Sequence, residues 1–553
     1  MEVFPMIDKI MASPNRALIT LLSAFMLAII HQYLFYGKEP GVSYPIFVIL
    51  FYGFMFLFAR DRMRPLTMIN AFVAGVVLML ALTFLLYDNK PLRILNFLVV
   101  PGLIILHMTY LVGRKQRQWW NIELIGTALD HLLPQSIRHW GTVASIVVKT
   151  GGRGLGKTQK TAAFKVFIGL IASVPILIVV IALLSSADGI FNQYLSGFPE
   201  WLNQLTLTPG LPRMIWILIA GVLLFSYVWG FVQPMQYEVQ KRENAHWKNG
   251  KVITVASEIE KREDVSVNFI QENPSSNSII GDKQVNKIAP ETIHSQAHRG
   301  PFRLDPVIVG TMLLVINCVY VLFVLVQFSY LFGAGEGHLP SDLSYAEYAR
   351  SGFVELILVT GINFFILIIA LQFTRSSGKI GSVVHQVLLS ILVACSAIML
   401  YSAFIRLNLY EQAYGYTYIR FLVHAFMIFL ALLLLIAALR IRYTSIPLIR
   451  WYIVLSLTAY VTVNYVGMDK RIAELNIARY HETGIIDASY LASLSADAVP
   501  LLREFAQREY PDLKGEMLDR QANFDLGEAE SSWTSFNMAR HRAKLELSKW
   551  RME

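Results

Sequence analysis

The residue types best suited to bind or transform a ligand gather in two polar stretches set between long apolar runs. The first carries Tyr345, Glu347 and Arg350, with Glu355 shortly after it. The second carries Arg406, Tyr410, Glu411 and Tyr414, followed by Arg420 and His424, one helical turn apart. Glu347 and Glu411 have the chemistry of a general acid or base. Arg350, Arg406 and Arg420 offer planar guanidinium groups that match a carboxylate or phosphate. Asn464, Asp469 and Arg471 end the last apolar run. If these segments meet, their charges line a common polar vestibule. Tyrosines at a membrane interface also form an aromatic belt, and an arginine neutralises a nearby glutamate at a helix end, so structural locking is the first reading. A ligand site is the second, because the connections hold more ionisable groups than turns require. Spacing alone yields no nucleophile and base pair.

Gly151, Gly156, Lys157 and Thr158 satisfy the phosphate-loop pattern G-x-x-x-x-G-K-[ST], and the preceding Ser145-Ile146-Val147-Val148 reads like a strand. A working phosphate loop needs a parallel sheet and a second acidic site for magnesium, and the polar segment 113–163 is too short for that domain. The match is read as fortuitous, a basic approach to the next apolar run that is drawn to anionic headgroups. His294 and His298 are four apart but lack a third ligand at usable spacing, so no metal site is expected. Cys318 and Cys395 lie in apolar runs without thiol-ligand spacing, which argues against disulfide scaffolds, zinc knuckles and iron–sulfur centres. No cofactor is expected.

The elements that must position these residues follow from composition. Of 553 residues, 55% are hydrophobic and only 16% are Asp, Glu, Lys or Arg, against roughly 25% charged in a soluble chain. Lipid can surround such a chain without cover for its apolar surface, so the fold class is an all-α polytopic transmembrane bundle. Eleven stretches are long enough to span: 18–36, 44–59, 66–87, 94–112, 164–184, 214–235, 307–332, 353–373, 383–405, 418–439 and 448–466. Lys and Arg concentrate in alternate connections, which puts the N-terminus inside and the C-terminus outside. The formal charge of +9 is dispersed beside the spans, so it reads as orientation and not as nucleic-acid binding.

The expected organisation is spans one to four in 1–112, a cytoplasmic interfacial segment in 113–163, spans five and six in 164–235, a disordered cytoplasmic linker in 236–303, spans seven to eleven in 304–467, and a helical extracytoplasmic tail in 468–553. In the interfacial segment, Trp119 and Trp120 precede Ile122, Ile125, Leu129 and Leu132 at helical spacing. In the tail, Gly484 suits the end of a helix through Arg479, Asp487 and Ser495 suit N-caps, and Phe536, Ala539, Ala543, Leu547 and Trp550 are spaced by three and four.

Several ordered motifs carry a resemblance. Leu343-Ser344-Tyr345-Ala346-Glu347-Tyr348-Ala349-Arg350, Leu409-Tyr410-Glu411-Gln412-Ala413-Tyr414-Gly415 and Asn476-Ile477-x-Arg479-Tyr480-x-x-Thr483-Gly484 are three. Ala488-Ser489-Tyr490-Leu491, Ser495-x-Asp497-Ala498-Val499-Pro500 and Ser535-Phe536-Asn537-x-x-Arg540 continue them. Together they resemble a bacterial polytopic membrane family filed as a domain of unknown function (family 4173, related to 4153), most closely over the second half of the chain. The resemblance implies a multi-pass protein of the bacterial cytoplasmic membrane and brings no activity, cofactor or catalytic residue with it.

The favoured function is a membrane receptor, regulator or scaffold with an extracytoplasmic polar vestibule, acting with the lipid bilayer and a membrane or envelope protein partner. A transporter or permease is the alternative, motivated by Asn317, Glu355, Asn363 and His424 at span depth. An envelope enzyme on a lipid-linked substrate, with Glu347 or Glu411 as base, ranks third.

Overall fold

The computed structural model describes residues 15–65, 67–113, 118–151, 210–233, 306–333, 353–374, 378–521 and 532–552. The chain divides into two compact units, Met1–Gln233 with Arg303–Glu553, and Pro234–Phe302. The second coincides closely with the expected linker and lies outside the described residues, so the architecture below is that of the first.

It is built of helices, with no strand among the described residues. The first group comprises α1 (Arg16–Phe35), α2 (Ser43–Ala59), α3 (Met68–Leu86) and α4 (Lys90–Val112). Two short helices follow, α5 (Glu123–Asp130) and α6 (Trp140–Gly151), then α7 (Gly210–Val232), α8 (Pro306–Gly333) and α9 (Phe353–Phe373). The last long elements are α10 (Lys379–Tyr414), α11 (Tyr418–Arg442) and α12 (Leu448–Tyr465). Eight of the described helices are long and apolar enough to cross a membrane, or nine if α12 and the helix after it count as one bent span. Every expected span but one falls on a helix, and residues 164–184 lie outside the described residues.

Sequence sets the helix ends. Asn89 caps α4 by accepting from the Leu92 N–H, and a proline occupies the first turn, where its missing donor costs nothing. The connection expected between spans nine and ten is mostly helix. Residues 406–414 extend α10 to 36 residues, about 54 Å at 1.5 Å per residue, well beyond the roughly 30 Å of hydrocarbon. Leu, Glu, Gln and Ala in this stretch all sustain a helix, and the first breaker is Gly415, at φ +81°.

Cores form within and between these groups. Leu21, Phe54, Phe58, Met108, Phe225 and Val228 join α1, α2, α4 and α7, and Leu392, Met399, Leu407, Leu430 and Leu434 join α10 to α11. Lipid offers little hydrophobic drive between spans, so close packing and interhelical hydrogen bonds carry their association. Asn317 Nδ2 donates to Leu388 O at 2.7 Å and Asn363 Nδ2 to Ser396 Oγ at 3.0 Å, tying α8 and α9 to α10.

Within the segment 113–163, the described residues form helices from Glu123 onward. Ile122, Ile125 and Leu129 are exposed while Leu124 and Ala128 are buried, so α5 packs one apolar face inward and leaves a second uncovered. Arg450, at the start of α12, lies 3.5 Å from the centre of the Trp120 ring.

After α12 the chain bends by 63° at Gly467, whose φ is +66°, and enters the tail. This comprises α13 (Met468–Thr483), α14 (Ala488–Ala492), α15 (Val499–Arg508), α16 (Leu513–Gln521) and α17 (Met538–Met552). Its core holds Leu491, Leu494, Leu502, Phe505, Ala539, Ala543, Leu547 and Trp550. In water each fully buried large apolar side chain contributes roughly 1.5–3 kcal/mol before the entropy of ordering it, so this tail has a drive to fold that the spans lack. Gly484 ends α13 at φ +69° and Asp487 caps α14, as expected. Ser495 is not an N-cap: Ala498 precedes α15, and the Ser495 hydroxyl turns to Asp497. Phe536 is exposed just before α17, whereas the other four residues of its stripe are buried.

Candidate functional site

The end of the bundle nearest the tail carries two polar assemblies. The first is the turn from α10 to α11, where Glu411 is 2% exposed and His424 Nδ1 lies 3.2 Å from its Oε1 and 3.1 Å from its Oε2. Phe404 packs edge-on against the His424 ring, with centroids 4.6 Å apart. The Arg420 guanidinium sits 4.2 Å from the centre of the Tyr410 ring and donates to Gly415 O, while Tyr414 packs on Tyr410 at 4.9 Å. Of the residues selected from sequence, Glu411 thus meets His424, and Tyr410 meets Arg420 and Tyr414, at the same turn. Arg406 is half-buried on α10, just over one turn before Glu411. Tyr345, Glu347 and Arg350 lie outside the described residues, as does the side chain of Glu355 on α9.

The tail holds this turn in place. Arg479 donates from Nε to Gln412 O at 2.8 Å, from Nη2 to Ala413 O at 2.8 Å and from Nη1 to Ile485 O at 3.2 Å, satisfying carbonyls that a helix end leaves without partners. Asn476 Oδ1 accepts from the Tyr416 N–H at 3.0 Å, and its Nδ2 donates to Tyr416 O at 2.9 Å. A Cβ on Gly415 would fall 2.8 Å from that Oδ1 and push Asn476 off its bonds to Tyr416, which adds to the preference for glycine set by φ. The Tyr418 N–H donates to Tyr490 Oη at 3.1 Å.

The second assembly lies around the short connection between α3 and α4. Asp88 is 2% exposed, and its Oδ1 accepts from Arg93 Nη1 at 3.0 Å and from Arg540 Nε at 2.7 Å. Arg540 also pairs with Glu39, and Arg93 donates to Pro40 O at 2.5 Å. The Asp88 N–H donates to Asp497 Oδ2 at 2.8 Å, and Asn89 Nδ2 to Asp469 Oδ2 at 2.6 Å. The Ser495 N–H fills the other oxygen of Asp469 at 3.0 Å. Asn537 Nδ2 donates to Phe84 O at 2.8 Å and Tyr87 O at 2.9 Å. Deeper in the bundle the network continues: Asn96 Nδ2 donates to Asn464 Oδ1 at 2.7 Å and Tyr460 Oη to Asn96 Oδ1 at 2.6 Å, linking α4 to α12.

Burial dominates the electrostatics here. It pushes the Asp497 carboxyl up to about 6, with Asp469 and Asp88 adding to the rise and the Asp88 N–H and Ser495 hydroxyl opposing it. Asp469 is raised by burial against the hydrogen bonds from Ser495 and Asn89. For Arg540 burial disfavours the charge, and Asp88 and Glu39 outweigh it, so its pKa is raised. The result is a lock: carboxylates and guanidinium groups from distant parts of the chain satisfy one another in a buried joint. Sequence reasoning attended to Asp469 as the end of a span and missed its partners. The available signal was a charged and amide-rich turn, Asp88-Asn89-Lys90-Pro91, between two apolar runs.

The stretch that reads as a strand before the phosphate-loop match is helical. Ser145–Val148 belongs to helix α6, not to a strand, because its apolar residues continue a helical pattern from Trp140, and Gly151 is that helix's last residue. Gly156, Lys157 and Thr158 lie outside the described residues. Among the described residues no three His, Cys, Asp or Glu are placed to hold a metal ion.

The apolar helices and the folded tail define an integral, multi-pass membrane protein. Within that class the chain belongs to the family described as a domain of unknown function (DUF4153), whose model matches residues 74–257 and 283–505. This is the second of the two related families suggested by the motifs, and the match extends well into the first half of the chain. It contains both the α10–α11 turn and Asp88, Asp469 and Asp497, and it breaks within the polar linker. The Ser535–Arg540 motif lies beyond it. No curated protein and no solved structure matches the chain.

Proposed function

We propose that this protein is a receptor or regulator of the bacterial plasma membrane, with its N-terminus in the cytoplasm and its tail outside. The single observation that carries the reading is the joint around Asp88. It couples a tail with its own core to the spans through contacts between residues more than 400 positions apart, such as Asp88 with Asp497 and Arg540. A tail free to act alone has no need of such a joint. One whose state must reach the spans does, and the Asn96–Asn464–Tyr460 bonds continue the same connection into the bundle.

The Nδ2 groups of the intramembrane amides that motivate transport make ties between helices, Asn317 to Leu388 O and Asn363 to Ser396, which favours regulation over a substrate path. In this reading the linker 236–303 makes the cytoplasmic contact. The test compares, in a strain lacking the gene, the transcript profile restored by the full chain and by a chain without residues 236–303, with membrane insertion of both verified. The expected result is that only the full chain restores it. Full restoration by the shortened chain would overturn the proposal.

A further inference from the structure

An apolar cavity of about 790 Å³ lies among α1, α2, α4, α7 and the stretch between α5 and α6 that holds Leu132 and Ser136, and it meets the second polar assembly at Pro40. Its wall is aromatic and aliphatic: His31, Phe35, Phe47, Phe51, Ile104 and Trp216. The His31 ring packs on Phe35 at 4.9 Å, on Phe47 at 4.8 Å and on Trp216 at 5.7 Å, and Trp216 Nε1 donates to His31 Nδ1 at 3.1 Å. These two polar groups thus satisfy each other within a largely hydrocarbon surface. Along α7 the cavity reaches from Trp216 to Tyr227, about 16 Å at 1.5 Å per residue, or roughly the depth of one leaflet of a bilayer with a 30 Å hydrocarbon core.

One end of the cavity is charged. Lys38 lines it, donating to Tyr33 O at 2.8 Å and resting 4.3 Å from the centre of the Tyr33 ring. The Arg213 guanidinium lies 5.6 Å from the centre of Tyr36, another lining residue. The carboxylate next in sequence, Glu39, is taken by Arg540. Lys38 therefore lines the mouth and Arg213 lies beside it, against Tyr36, above a slot about 16 Å long. From this arrangement we infer that the cavity holds an acyl chain of an anionic glycerophospholipid, with its phosphate between Lys38 and Arg213.

An acyl chain regains the dispersion contacts that an unfilled apolar space forfeits, and water would find few partners there. The two cations then select the headgroup. At about a fivefold preference for each basic residue near an anionic surface, they favour phosphatidylglycerol over phosphatidylcholine by about 30-fold.

The experiment uses the full chain in nanodiscs of phosphatidylcholine, titrated with phosphatidylglycerol brominated on its acyl chains. Quenching at Trp216 is read as the difference between the native protein and Trp216→Phe. Saturable quenching at a low mole fraction is expected, and brominated phosphatidylcholine should require about 30-fold more. Lys38→Glu with Arg213→Glu, at a half-buried and an exposed position, should erase the difference between the two lipids, and Ile104→Trp should block quenching by both. Equal quenching by the two lipids in the native protein would overturn the headgroup assignment. Absence of saturable quenching, or retention of a different bound molecule by native mass spectrometry, would overturn the site.

Discussion

Asp497→Asn is the sharpest probe of the joint. Burial among Asp88 and Asp469 raises the Asp497 carboxyl from 3.8 to about 6, so the docked tail favours the protonated form. A raised pKa in the folded state contributes stability that is complete below the unfolded value and is lost as pH rises through about 6. Two units at 1.36 kcal/mol each amount to roughly 3 kcal/mol over the whole range. The substituted asparagine copies the protonated acid: its carbonyl still accepts from the Asp88 N–H, while its amide group must find a partner of its own. Allowing for that cost, the variant should hold the tail about 2 kcal/mol more firmly at pH 7.5, roughly a thirtyfold change in the opening equilibrium, and by little at pH 4.5. Hydrogen exchange of peptides spanning 86–96 and 490–500, in nanodiscs and corrected for intrinsic rates, measures this opening. Native protection should rise as pH falls from 7.5 to 5, and the variant should flatten that slope. Lower protection in the variant at both pH values would refute the assignment of burial as the dominant effect.

Further outcomes follow from the same geometry. Gly415→Ala places a Cβ at positive φ and against Asn476 Oδ1, and should cost about 2 kcal/mol, seen as a lower midpoint in thermal unfolding of the detergent-solubilised protein. Asn537→Ala leaves the Phe84 and Tyr87 carbonyls without their donor and should weaken tail docking by about 2–3 kcal/mol, read as faster proteolysis near α17. A double-mutant cycle of Glu411→Gln and His424→Phe should show a coupling of about 1 kcal/mol or more at pH 6 by thermal unfolding, and additive effects would mean that the pair does not act as a unit. Impermeant thiol labelling of intact cells, with Cys318 and Cys395 replaced, should modify Gln412→Cys and Ser493→Cys but not Thr444→Cys; the reverse pattern would invert the proposed topology. Exposed Ser493 is a better reporter than Ser495, which is 6% exposed.

The spans were legible because a helix crossing lipid must bury its backbone bonds and present apolar side chains on every face, a signal that local composition carries alone. The turn from α10 to α11 was partly legible. Arg420 and His424 share a helix face, so their proximity follows from spacing, but the closure of the helix end at Gln412 and Ala413 comes from Arg479, which lies in another element. The joint at Asp88 was hidden for a stronger reason. Its carboxylate is matched by Arg540, and periodicity within either segment says nothing about which distant charge will reach it.

The positions of the motif residues explain what their sequence pattern secures. Asn476, Arg479 and Tyr490 close the α10–α11 turn, while Asp497, Asn537 and Arg540 grip the α3–α4 connection. The two groups hold two connections, distant in sequence but at one end of the bundle, to the same folded tail, so a displacement of that tail strains both. Glu411 and His424 sit beside the first grip and Asn96 and Asn464 just below the second. In a regulator, a ligand or partner that shifts the tail need not enter the bundle. In the function proposed above, it has only to change the balance of these two grips.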